Sequence, residues 1–342
     1  MAQTTLTKKD FQTDQEVRWC PGCGDYAILA SAQQTFADLG IERHNMVIVS
    51  GIGCASRFPY YVDTYGFHTI HGRAPAVASG IKIANPELSV WIVAGDGDAF
   101  SIGGNHVIHL LRRNIDLNLL VFDNRIYGLT KGQYSPTSEF GKKTKSTPYG
   151  SLDRPFNPVS VVLGAGATFV ARSIDIHAPH LKRTLKAADG HRGTSFVQIF
   201  QNCNIFNDGA FEEIREKKLR DNNVLELEHG EPLIFGKNRD RGIRWAGPGV
   251  PEVVELGKGV SEDSLVIHDE RGSMGYLMTL AGMKPPEFPM PIGVLRRIEA
   301  RTLDAGIHQQ IEEVSAQKGP GELEKIIYSG NIWTVGPVVG RR

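Results

Sequence analysis

Ser89-Val90-Trp91-Ile92-Val93-Ala94-Gly95-Asp96-Gly97-Asp98, and, one helical stretch later, Asn118-Leu119-Leu120-Val121-Phe122-Asp123-Asn124-Arg125-Ile126-Tyr127-Gly128, carry the pattern that decides the fold. Each begins as a short apolar run rich in β-branched residues and stops abruptly at a polar side chain, Asp96 in one and Asn124 in the other. That is how a strand buried on both faces ends. Gly104 to Arg113, between them, has helical periodicity, so the unit reads strand, helix, strand.

The pattern repeats outward. Met46 to Ser50 and Ser195 to Gln201 read as further buried strands. A helix is expected from about Tyr26 to Leu39, capped by Asp25, with others over Ala74 to Ala84, Pro158 to Leu163 and Ile174 to Ala188. Alternation of strand and helix implies an α/β fold with a doubly wound, mostly parallel sheet. From about Ile205 the regularity fades into charged, then proline- and glycine-rich sequence. The division expected is 1–205 as the main domain and 206–342 as a C-terminal extension, with small helices near Val253 to Leu256 and Leu303 to Ala316 and a role in subunit contact.

The chain has 342 residues, with 38 Lys and Arg against 38 Asp and Glu. This balance gives no electrostatic reason for nucleic-acid or polybasic membrane binding. The polar lead, Met1 to Trp19, lacks the apolar run of a signal peptide, and no segment approaches a membrane span, so a cytoplasmic protein is expected.

Asp96 between two glycines suits a turn that brings backbone amides close to a diphosphate while the carboxylate binds its divalent cation. Asn124 supplies a second oxygen and the Ile126 carbonyl a third, as octahedral Mg²⁺ requires. Cys20, Cys23, Cys54 and Cys203 are the only cysteines. By spacing they fit a structural zinc site as well as an iron–sulfur cluster. Their setting favours the cluster: Cys54, Asp96, Asn124 and Cys203 all follow expected strands, and so meet at one edge of a parallel sheet. A redox-silent zinc has no evident use there, whereas a cluster accepts electrons.

Trp19-Cys20-Pro21-Gly22-Cys23-Gly24, Gly51-Ile52-Gly53-Cys54, Ile70-His71-Gly72-Arg73-Ala74, Gly95-Asp96-Gly97-Asp98 and Asn124-Arg125-Ile126-Tyr127-Gly128-Leu129-Thr130 together resemble the β subunits of 2-oxoacid:ferredoxin oxidoreductases, over about residues 15 to 210. The resemblance implies thiamine diphosphate held with Mg²⁺ by Ile52, Gly53, Cys54, His71, Gly72, Gly95, Asp96, Gly97, Asp98, Asn124, Tyr127, Gly128, Leu129 and Thr130. It also implies a [4Fe–4S] cluster on the four cysteines, and His71 close to the cofactor. An α subunit would supply the glutamate facing the aminopyrimidine, in a heterotetramer, with coenzyme A, a 2-oxoacid and ferredoxin as the other partners.

The Tyr127 to Gln133 stretch is similar to members that use 2-oxoglutarate, with pyruvate as the alternative substrate. Arg57, three residues past Cys54, is a candidate for the distal carboxylate and Lys131 a second. A non-redox thiamine enzyme, which leaves the cysteines idle, and a zinc-stabilised non-catalytic subunit are the rival readings.

Overall fold

The computed structural model describes residues 6–257 and 259–336. Strands β1 (Met46–Ser50), β2 (Tyr65–His68), β3 (Ser89–Gly95), β4 (Leu117–Asp123), β5 (Phe169–Ile174), β6 (Thr194–Phe200), β7 (Val224–Leu227) and β11 (Met290–Arg297) form one eight-stranded sheet in the order β2-β1-β3-β4-β6-β5-β11-β7. From β2 to β5 every neighbouring pair is parallel. β11 then runs antiparallel to β5, and β7 lies parallel to β11. A separate three-stranded antiparallel sheet comprises β8 (Ile234–Phe235), β9 (Arg241–Gly247) and β10 (Val250–Glu255).

Helices cover both faces of the main sheet, and the alternation of side chains along each strand divides the core in two. Val90, Ile92 and Ala94 share one cluster with α2 (Ala74–Ala84), α4 (Gly104–Arg113), α5 (Pro158–Gly164) and α9 (Met274–Gly282). Trp91 and Val93 point the other way, into a cluster with α1 (Asp25–Leu39) and α6 (Ala178–Asp189). β1 and β3 are buried on both faces and largely apolar, which explains their unbroken runs in the sequence. Asp96 and Asn124 lie just past the ends of β3 and β4. The remaining helices are α3 (Asp96–Phe100), α7 (Glu212–Arg215), α8 (Lys217–Asn223), α10 (Leu303–Lys318) and α11 (Leu323–Ile327).

Several expectations need correction. The segment expected as one helix from Ile174 to Ala188 is the end of β5 followed by α6. Phe169-Val170-Ala171-Arg172-Ser173-Ile174 carries Arg172 and Ser173 within an otherwise apolar run, which hid a buried strand. Val253 to Leu256 belongs to β10 and its following turn, with Val253 and Val254 paired to β9, and is not helical. Asp25 is the first residue of α1, with Gly24 at the cap position, and makes no capping hydrogen bond. The sheet also crosses the expected boundary at 205: β7 and β11 come from the extension, and β11 pairs with β5. Helix α10 begins where expected.

Trp91 is fully buried, its ring 5.0 Å from that of Phe36 and its Nε1 donating to Ser89 Oγ at 2.9 Å. Trp91→Ala should lower unfolding free energy by about 3–5 kcal/mol, by loss of apolar burial and by cavity formation. A urea midpoint within error of the parent would show that this face of the core collapses onto the gap.

Candidate active site

β3 delivers Asp96 to the carboxyl edge, where the side chain is buried. Its Oδ2 accepts from Ser135 Oγ at 2.5 Å and from Thr137 Oγ1 at 2.6 Å. Thr137 Oγ1 also lies 2.9 Å from Oδ1 of Asp123, the last residue of β4. One hydroxyl hydrogen serves a single acceptor at a time, so with both carboxylates ionised one contact has no proton. Burial, then the neighbouring Asp123, push the Asp96 carboxyl up to about 7. Burial raises Asp123 as well. Two buried acids this close repel each other, and a cation beside them would supply the charge that burial withholds.

Asn124 follows directly, and its Oδ1 accepts from Ile126 N at 3.1 Å. Arg125 takes a left-handed conformation, φ 56°, and Ser138 Oγ holds its carbonyl at 2.6 Å. Asn207 Nδ2 donates to the Asn124 carbonyl at 2.9 Å. The loop carrying Asn124 and Ile126 is therefore fixed from both sides. Beyond it, Tyr127 N donates to Gln133 O at 2.8 Å and Tyr127 Oη to Gly97 O at 3.1 Å. A Cβ on Gly97 would lie 2.3 Å from the Tyr127 ring, so only glycine fits beneath it.

Asp98 ties the other loops together. Its Oδ1 accepts from Ile52 N at 3.1 Å and from Gly72 N at 2.7 Å, and it contacts His71 Nδ1. Gly72 has φ +71°, and a Cβ there would sit 2.5 Å from the Gly103 backbone. One buried carboxylate thus sets the Gly51–Cys54 loop and the His71 loop against the Asp96 turn. Gly53 and Gly95 face open space.

The cysteines converge beside this cradle. Cys20, Cys23, Cys54 and Cys203 line one cavity of about 230 Å³, together with Asn124, Gly128, Leu129, Arg57 and Lys131. A Cβ on Gly128 would lie 3.5 Å from Cys203 Sγ and 3.6 Å from Cys54 Sγ, so the bare backbone packs against both sulfurs. Gln201 Nε2 donates to Cys23 Sγ at 3.2 Å, and Trp19 Nε1 to the Cys54 carbonyl at 2.7 Å. Burial pushes the Cys54 thiol up to about 12 and raises Cys23 too. Such thiols ionise only beside a strong positive charge. Among the described residues no three His, Cys, Asp or Glu side chains are grouped to hold a single metal ion.

The structure thus gathers Ile52, Gly53, Cys54, His71, Gly72, Gly95, Asp96, Gly97, Asp98, Asn124, Ile126, Tyr127 and Gly128 at one edge. Arg57 lies at the cysteine cavity, with its Nη1 donating to the Arg18 carbonyl at 2.5 Å; Lys131 lies at the same cavity, exposed. Thr130 Oγ1 bonds Gln133 Oε1 at 2.5 Å within its own loop. The sequence reading missed Ser135, Thr137 and Asp123. The hydroxyl-rich Ser135-Pro136-Thr137-Ser138, too short for an element, was the available signal.

A parallel sheet with this edge defines a thiamine-diphosphate-binding fold. Residues 43–199 match the family described as thiamine pyrophosphate enzyme, C-terminal TPP binding domain. A 2-oxoglutarate oxidoreductase subunit KorB from Mycobacterium tuberculosis is 50% identical over 331 residues, 96% of this chain and 88% of the relative. A 2-oxoacid:ferredoxin oxidoreductase β subunit from Aeropyrum pernix is 45% identical over 62% of this chain and 67% of its own. A solved 2-oxoglutarate:ferredoxin oxidoreductase from Magnetococcus marinus, with 2-oxoglutarate, coenzyme A and succinyl-CoA bound, superposes with a TM-score of 0.75 at 33% identity over 96% of this chain and 97% of that one. The chain belongs to the family of 2-oxoacid:ferredoxin oxidoreductase β subunits, and is an oxidoreductase subunit of the 2-oxoglutarate type.

An acid whose folded pKa lies above its ordinary 3.8 holds its proton more tightly in the folded chain. Its contribution to stability is therefore fully present at low pH and is lost as pH rises from about 4 to about 7. In cation-free protein, the thermal midpoint of wild type relative to Asp96→Asn should fall across that window. Magnesium should reverse the fall in wild type and do nothing for the variant. Parallel profiles for the two proteins would show that Asp96 ionises as if exposed.

Proposed function

We propose that this chain binds the diphosphate of thiamine diphosphate through Mg²⁺ on Asp96, Asn124 and the Ile126 carbonyl, and a [4Fe–4S] cluster on Cys20, Cys23, Cys54 and Cys203. With an α subunit it converts 2-oxoglutarate and coenzyme A to succinyl-CoA and CO₂, reversibly, passing electrons to ferredoxin. The observation that carries this reading is the meeting of four cysteines in one cavity that Asn124 also lines. Carbon and redox chemistry then lie within one short edge. A lone zinc needs a tighter grouping of ligands than this cavity offers.

When bound, thiamine diphosphate supplies the electron sink for decarboxylation. This chain's residues bind and orient it. Asp96 and Asn124 anchor the cation, and Gly95 and Gly97 give the diphosphate close access to backbone amides. His71, fixed by Asp98, is aimed at the cofactor. Arg57 and Lys131 place cationic groups at the cavity mouth, where the distal carboxylate of 2-oxoglutarate is read by Arg57. The glutamate facing the aminopyrimidine comes from the α subunit, in a heterotetramer with two copies of each chain. Ferredoxin takes up electrons from the cysteine side.

No helix among the described residues is long and apolar enough to cross a membrane, and the reducing chemistry suits the cytoplasm.

Anaerobically purified protein should be brown and contain about four iron atoms per chain. Cys54→Ser and Cys203→Ser should both lose iron, because a hard hydroxyl replaces a soft thiolate poorly; full iron in both variants, or stoichiometric zinc in colourless protein, would reject the cluster. Asp96→Ala should abolish thiamine-diphosphate binding by calorimetry without unfolding the chain.

Arg57→Ala, assayed in the complex with the α subunit, should lower kcat/KM for 2-oxoglutarate on the order of 10- to 100-fold more than for a monocarboxylic oxoacid, or about 1.4–2.8 kcal/mol of selectivity. Equal losses on both substrates would remove Arg57 from carboxylate recognition.

A further inference from the structure

At the edge of the main sheet opposite the cofactor loops lies a second cavity, of about 920 Å³, whose charge is one-sided. Arg192 enters it from the turn between α6 and β6, and Arg271 from the loop ahead of α9. Arg297 and Arg301 enter from the end of β11 and the segment leading to α10. Glu299 is the one carboxylate lining the space with them. Strand polarity fixes the location. Arg297 pairs with Phe169, the first residue of β5, whereas Asp96 and Asn124 follow the last residues of their strands. A strand of this length spans roughly 20 Å, so the two sites are separate.

The arginines differ in how they are held. Arg297 Nε lies 3.5 Å from Glu270 Oε2, with its guanidinium 5.4 Å from the Phe169 ring centroid. Arg301 Nη2 donates to Gln309 Oε1 at 3.1 Å, which leaves its charge uncompensated. The Arg192 and Arg271 guanidinium groups have no hydrogen-bond or ion-pair partner among the described residues. Glu270 and Glu299 offset only part of the positive charge gathered there, and like charges around one concave space repel unless an anion sits among them. The 16-residue helix α10 opens at the same cavity, where Thr302 Oγ1 accepts from Ala305 N at 3.3 Å, and adds the positive end of its dipole.

We propose that this cavity binds a small polyanion carrying two or more clustered oxyanion groups, phosphoryl or carboxylate, at a site remote from the cofactor edge. Guanidinium forks suit both chemistries bidentately, and the volume suits a nucleotide- or polycarboxylate-sized molecule. Neither the diphosphate cofactor nor the oxoacid accounts for it, since both belong at the other edge.

Titration calorimetry on the assembled complex, saturated with thiamine diphosphate and Mg²⁺, with ADP in one arm and citrate in the other, tests the proposal. One probe at least should bind with one site per chain, and the arm that binds tells phosphoryl from carboxylate recognition. Arg271→Ala combined with Arg301→Ala should weaken that binding at least tenfold while leaving probe-free turnover unchanged. Should the double variant fail to fold, Arg192→Ala alone, on an exposed side chain without partners, must still weaken it several-fold. Absence of heat from both probes at millimolar concentration overturns the proposal. So does binding that the arginine variants do not change.

Discussion

Asp96 and Asp123 are buried side by side with one hydroxyl, that of Thr137, between them, and the carboxyl edge is organised around that unfavourable pair. Two adjacent carboxylates out of water repel each other and lose hydration, so the fold surrounds them with donors: Ser135 and Thr137 on Asp96, Gln198 and Thr137 on Asp123. Those donors require the 124–140 segment to fold back over the edge. The same fold-back seats Tyr127 on Gly97 and brings Gly128 against the cysteines. A buried acidic pair and a site lined by thiols are thereby built by one loop.

Asp98 performs the complementary task for the other half of the edge. Its Oδ1 gathers Ile52 N, Gly72 N and His71, from loops that follow β1 and β2. Three consecutive strand ends are held in register by a side chain two residues from Asp96. This explains why Gly51 tolerates no side chain: a Cβ there would fall 2.0 Å from Asp98 Oδ2. The cysteine cavity has a different balance, because burial holds the Cys23 and Cys54 thiols neutral while Arg57 and Lys131 line the same space.

The parts legible in the sequence were those where local pattern and tertiary environment agree. β1 and β3 begin where their apolar runs begin, because strands buried on both faces have no polar alternation to blur the limits. Asp96, Asn124, Cys54 and Cys203 stood out because they follow such runs. What stayed hidden depends on contacts distant in sequence. Arg172 made β5 look interrupted, yet its guanidinium is buried and satisfied by Gln198 Oε1, Asn157 Oδ1 and the Ala281 carbonyl. Among the described residues β9 and β10 pair only with each other and β8, half exposed, so their alternation is weak. Thr137 lies in a loop, where no periodicity marks a functional hydroxyl.

Arg172 also shows why the extension is part of the fold rather than an appendage. Burial lowers its guanidinium to about 10, and the acceptors that keep it charged lie partly beyond residue 205: Ala281 O at 3.0 Å and Met290 Sδ at 3.7 Å. Its Nε donates to Gln198 Oε1 at 3.0 Å, and Gln198 Nε2 donates to Asp123 Oδ2 at 2.6 Å. A continuous buried chain therefore runs from Asp96 through Thr137, Asp123 and Gln198 to Arg172 and ends on α9 and β11. Each link orients the next, since an amide that gives its NH₂ to Asp123 must turn its oxygen to Arg172. The extension closes the sheet beside β5 and, through this chain, fixes the orientation of a carboxylate at the cofactor edge.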